Sequence, residues 1–176
     1  MKKLLLPLLF LSLPLAAQAG GLSARVGNDF VGASYEGSIL LLTTSADWLR
    51  NTDEGTVASL GLGVQAPLGI VKLKAGSQLV YLDLKQQDQE YAVTVGAGVD
   101  IPVGDFTVYG QGYFANSAMA SSGVDLYRDF RAGVRWDMTK MVALDLGYQL
   151  TDVELTSGKP SATLAKGLYA GAQLNF

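Results

Sequence analysis

The sequence predicts an all-β fold: a small transmembrane antiparallel up-and-down β-barrel of about eight to ten strands, reached after removal of a signal peptide. Three observations carry this: an export signal at residues 1–19, side-chain alternation with a period of two from Leu22 onward, and connections that alternate between tight and longer. Composition agrees. Of 176 residues, 49% are hydrophobic and only 16% charged. Beyond the N-terminus no stretch has the roughly 20 consecutive apolar residues that a spanning helix needs. The length is that of one domain, residues 20–176, placed in the cell outer membrane.

The export signal is read residue by residue. Lys2 and Lys3 are the positive start, Leu4 to Leu15 the apolar stretch, and Ala17-Gln18-Ala19 the small-x-small motif, with cleavage expected before Gly20. Pro7, Pro14 and the short length argue against a membrane anchor.

The strands follow in order. Ala58, Leu60, Leu62, Val64 and Ala66 oppose Ser59, Gly61, Gly63 and Gln65, and Tyr91 to Ile101 alternates in the same way. Phe130, Ala132, Val134 and Trp136 oppose Asp129, Arg131, Gly133, Arg135 and Asp137; Leu144, Leu146 and Tyr148 oppose Asp145, Gly147 and Gln149. In a barrel the apolar set meets lipid, and the small or charged set faces the lumen. Tyr81, Tyr91, Phe106, Phe114, Trp136 and Tyr148 fall near strand ends, where aromatic rings prefer the membrane interface.

Tight turns are expected at Pro67-Leu68-Gly69, Pro102 to Asp105 and Thr139 to Met141, and longer polar loops at 51–55, 83–89, 116–123 and 155–166. Eight strands begin near Ile39. Ahead of them, a two-residue turn at Asn28-Asp29 pairs Val26 with Val31 and Ala24 with Ala33, and a second turn at Gly37-Ser38 leads onward, which makes ten. A bulge there leaves eight; the balance leans to ten.

The last strand ends with Gly171, Leu174 and Phe176, which resembles the C-terminal signal read by the barrel-assembly machinery; Tyr169 stands where a polar residue is commoner. The mature chain also resembles the YfaZ family of predicted Gram-negative outer-membrane proteins. The resemblance rests on Gly21-Leu22-Ser23-Ala24-Arg25-Val26-Gly27, on Ser45-Ala46-Asp47-Trp48 before Asn51 to Gly55, on Leu60-Gly61-Leu62-Gly63, and on Arg131 to Trp136. It implies a barrel in the outer membrane and supplies no catalytic residues.

Several chemistries are disfavoured. Cysteine and histidine are absent, which removes thiol nucleophiles, the commonest general base and the commonest metal ligand. Barrel lipases, acyltransferases and proteases use a histidine, so no catalytic, cofactor-binding or metal site is assigned. Asp53 with Glu54, Asp88 with Glu90, and Asp152 with Glu154 lack the ligand spacing of a calcium loop. A net charge of −3 gives nucleic-acid binding no support. The expected partners are outer-membrane lipids and the export and assembly machinery, with the protein a monomer.

What remains is a set of inward charges: Arg25, Glu36, Lys72, Lys74, Asp100, Asp129, Arg131, Arg135, Asp137 and Asp145. Buried charges must be paired, so Arg131 and Arg135 are expected to find Asp129, Asp137 and Asp145. One reading is a salt-bridged, largely plugged lumen serving a structural, envelope-integrity or surface-interaction role. The alternative is a narrow channel or small-ligand-binding, porin-like barrel. The first is favoured, since barrels of about eight strands have side-chain-filled interiors.

Overall fold

The computed structural model describes residues 19–85, 88–156 and 161–176. Among them ten antiparallel strands close into a barrel in which each strand pairs with its sequence neighbour and β1 pairs with β10. They are β1 Ala19–Gly27, β2 Phe30–Ile39, β3 Leu42–Asn51, β4 Gly55–Leu68, β5 Val71–Leu84, β6 Glu90–Val103, β7 Phe106–Asn116, β8 Val124–Asp137, β9 Val142–Leu155 and β10 Ala162–Asn175. Ala17 of the expected cleavage motif lies outside the described residues, and Ala19 opens β1.

The Asn28-Asp29 turn forms, and with it the register Val26↔Val31 and Ala24↔Ala33, so the count is ten. The next turn differs from expectation. Gly37 and Ser38 continue β2, pairing with Thr44 and Thr43, and the chain reverses at Leu40-Leu41. Leu40 there takes a left-handed backbone (φ 57°), unusual for a residue with a Cβ. Gly69 and Gly104 adopt the same conformation in their turns without that cost. The last loop is shorter than its composition suggests. Ala162 and Thr163 already pair with Val153 and Asp152, and a bulge between Thr163 and Ala165 restores the phase.

One rim carries the turns after β2, β4, β6 and β8 together with Gly20 and Phe176; the other carries the longer loops and the Asn28-Asp29 turn. These rims are called the turn end and the loop end. Outward side chains form an apolar belt, with Leu62 73% and Leu146 67% exposed. Trp48, Ala58, Tyr81 and Tyr91 lie in one row across β3 to β6 near the loop end. Near the turn end, Phe106 stacks on Trp136 (6.2 Å) and Tyr35 on Phe176 (6.4 Å). Two aromatic girdles bounding an apolar band are what a lipid-embedded barrel presents.

The β1–β10 seam is the shortest ladder, running from Gly21↔Asn175 to Gly27↔Tyr169 and including Arg25↔Gly171 and Leu22↔Leu174. Beyond it, Gly20 and Phe176 exchange a pair of backbone hydrogen bonds, each 3.0 Å.

The interior is layered. In its loop half most inward side chains are apolar: Leu49, Val80, Leu82, Ala92, Val153 and Leu164 are all at most 1% exposed and belong to one core cluster, with the buried Asn51 amide donating to the Leu164 carbonyl among them. Tyr127, Phe30, Val57 and Leu84 belong to it as well. Strand β5 is therefore apolar on both faces here except at Asp83, with lipid outside and protein inside. The plug expected to be charged is, at this level, hydrophobic.

Candidate functional site

Below the apolar plug lies a polar layer. Arg25, on β1, sends Nη2 to both carboxylate oxygens of Asp47 on β3 (2.8 and 3.0 Å) and Nε to Gln149 Oε1 on β9 (2.8 Å). Gly32 opposite Arg25 leaves room for it: a Cβ there would meet the guanidinium carbon at 2.9 Å. Arg131, on β8, reaches the same Asp47 (3.2 Å), although β3 and β8 lie on opposite walls of the barrel. Asp129 accepts from Gln149 Nε2 (3.2 Å) and from the Thr151 hydroxyl (2.7 Å). Charge and polar atoms thus bridge the whole lumen.

A second group borders the turn end. Lys74 contacts Glu36 (2.5 Å) and Asp100 (3.0 Å). The Tyr109 hydroxyl donates to Asp145 (2.7 Å) and is hydrogen-bonded to the Tyr169 hydroxyl. Both side chains pass over glycine: a Cβ on Gly133 would meet the Tyr109 hydroxyl at 2.7 Å, and one on Gly147 the Tyr169 hydroxyl at 2.7 Å. Tyr169, read as a departure from the assembly signal, is an inward residue that ties β10 to β7 across the lumen. Apart from Tyr169, these side chains line a cavity of about 230 Å³ that opens at the turn end.

The inward charges named from sequence do not form one cluster. Lys74, Asp100, Arg131, Arg135 and Asp145 line the cavity, and Asp129 sits deeper. Lys72 lines its mouth and is exposed. Asp137 lies at the exposed end of β8, outside the cavity lining, so it joins no cluster. The expected pairings also differ. Arg131 pairs with Asp47, and among the described residues Arg135 makes no ion pair; its guanidinium instead sits 5.3 Å from the Tyr109 ring centre. Arg135 and Asp145 are directly opposite in register, but the Tyr109 hydroxyl occupies the carboxylate. Asp47, the residue that joins the two arginines, was missed. Outward Trp48 beside it was the available signal, since neighbours on a strand face opposite ways.

Stability should follow this wiring. Arg135→Ala is expected to cost no more than about 0.5–1 kcal/mol of stability in urea unfolding, the size of a partly wet cation–π contact. Arg135→Ala and Asp145→Ala should be additive. A cost several times larger, measured by intrinsic fluorescence in detergent, would show an ion pair after all.

A family model described as YfaZ precursor matches residues 1–176. The chain belongs to the YfaZ family. A YfaZ-family relative, the outer membrane protein YfaZ of Escherichia coli (strain K12), is 29% identical over 164 residues, 92% of this chain and 91% of that protein. Among solved structures, the NanC porin shows a TM-score of 0.48 at 10% identity, covering 91% of this chain and 99% of that one. The outer membrane channel DcaP of Acinetobacter baumannii gives a TM-score of 0.47 at 14% identity and 88% coverage; the chain spans about half of DcaP, 54%. This YfaZ-family barrel is an outer-membrane protein.

Proposed function

We propose that the protein is a closed, non-conducting barrel of the outer membrane with a structural, envelope-integrity or surface-interaction role and no enzymatic activity. The observation that carries this reading is the apolar plug. An ion crossing the loop half would have to pass side chains such as Leu49, Leu82 and Leu164, which offer nothing to replace its hydration. The Arg25–Asp47–Arg131 bridge spans the lumen just below. Short turns face the periplasm in such barrels and longer loops face outward, so the plug lies towards the cell exterior and the polar cavity towards the periplasm. Residues 1–19 are removed on export in this reading, and assembly as a monomer depends on Gly171, Leu174 and Phe176.

Purified protein folded into planar bilayers should insert without steady conductance steps. Reproducible single-channel steps in the parent protein would overturn the closed reading and favour the narrow channel.

A further inference from the structure

The turn-end cavity has features a closed barrel does not require. At about 230 Å³ it has room for roughly seven or eight waters, taking about 30 Å³ for each. It is smaller than the ~300–1,000 Å³ of pockets for larger ligands. Most charges around it are committed: Lys74, Arg25 and Arg131 are balanced by Glu36, Asp100 and Asp47. Two are not. Arg135 has no ion pair among the described residues, and its Nε is shielded from solvent without a hydrogen-bond partner. The Nε of Arg131 shares that condition. Asp145, facing Arg135 across the β8–β9 ladder, holds only the neutral Tyr109 hydroxyl. A cation and an anion, neither in an ion pair among the described residues, therefore face each other across one pair of strands.

We propose that this cavity binds a small zwitterion of the amino-acid class, entering from the turn end, with its carboxylate on the Arg135 guanidinium and its ammonium on the Asp145 carboxylate. The inference rests on the loop half being closed, which makes the cavity a blind pocket. Charge pairing selects the ligand. A plain carboxylate seated on Arg135 would meet Asp145 as a like charge, and a plain ammonium on Asp145 would meet Arg135. A molecule carrying both charges satisfies both groups at once. The guanidinium fork suits a carboxylate, and its position over the Tyr109 ring holds it in place.

The test follows the arginine Nε–Hε resonances of ¹⁵N-labelled protein folded in detergent micelles. Glycine, β-alanine, acetate and methylammonium are titrated separately. One of the two amino acids should shift the Arg135 resonance at concentrations about tenfold or more below those needed with acetate, and methylammonium should leave it unmoved. Arg135→Lys and Asp145→Asn should each weaken amino-acid binding about tenfold or more, as loss of a charge-assisted hydrogen bond does. Arg128→Gln, which removes an outward cation paired with Asp152 and Glu154, should change nothing. The titration of the parent protein stands without any variant, should one fail to fold. No response to either amino acid, or a response to acetate at equal concentration, overturns the proposal. Conductance in bilayers would sink the closed-lumen reading, whereas this titration reads the site directly, so the two failures are distinguishable.

Discussion

Asp47→Ala should cost about 3–5 kcal/mol of stability, the usual penalty for breaking a buried ion pair from one side. The carboxylate serves two arginines at once, and the Arg25 side chain is only 2% exposed, so little solvent can compensate. Removing Asp47 leaves two guanidinium groups facing each other. By contrast, disrupting the outward Arg128 cluster should cost roughly 0–1 kcal/mol, because that side chain is 48% exposed. Urea titration in detergent, read by the gel shift between folded and boiled protein, measures both. Combining Asp47→Ala with Arg131→Met should recover part of the loss, since groups that share one partner are not additive. If Asp47→Ala unfolds at the parental midpoint, the cross-lumen bridge contributes nothing.

The second large effect belongs to the apolar plug. Leu49→Ala and Leu82→Ala should each cost about 2–5 kcal/mol, the transfer loss plus the cavity left behind. Both side chains are at most 1% exposed inside the barrel, and the rigid wall around them cannot collapse to fill the gap. Leu62→Ala is the comparison. It removes the same atoms from the outer face, where fluid lipid closes over the space, and should cost far less. Equal losses at Leu62 and Leu82 in the same urea titration would mean that the loop half is not packed as a core.

The barrel itself was legible because its outer face obeys one rule. Lipid demands an apolar side chain at every second position, and Leu60, Leu62 and Val64, or Val134 and Trp136, supply it. The count of ten followed from a single two-residue turn at Asn28-Asp29 that brought two out-of-phase strands into pairing. The interior was read less well, for a physical reason. Period-two reasoning assigns apolar residues to lipid, so the run from Leu79 to Leu84, apolar on both faces except at Asp83, carried no instruction about what its inward half would meet. A run apolar on both sides means burial on both sides. The partners of the arginines were beyond local reading too. Asp47 and Arg131 are far apart in the chain and join only across the lumen, whereas strand neighbours such as Arg135 and Asp145 were easily seen and do not pair.

The short seam between β1 and β10 sets an order of events. Nine barrel ladders can form as hairpins, each by a chain folding back on its neighbour, but the tenth must join the two extremes of the chain, and it has the fewest rungs. Loop closure over almost the entire chain is the largest entropic debt in the molecule, and it falls on the weakest zipper. The Arg25 bridges from β1 to Asp47 and Gln149 act as cross-braces on that zipper, which ties the permanence of the circle to residues inside it. Amide exchange in the folded protein would accordingly start at Gly21 to Gly27 and spread around the ring in both directions.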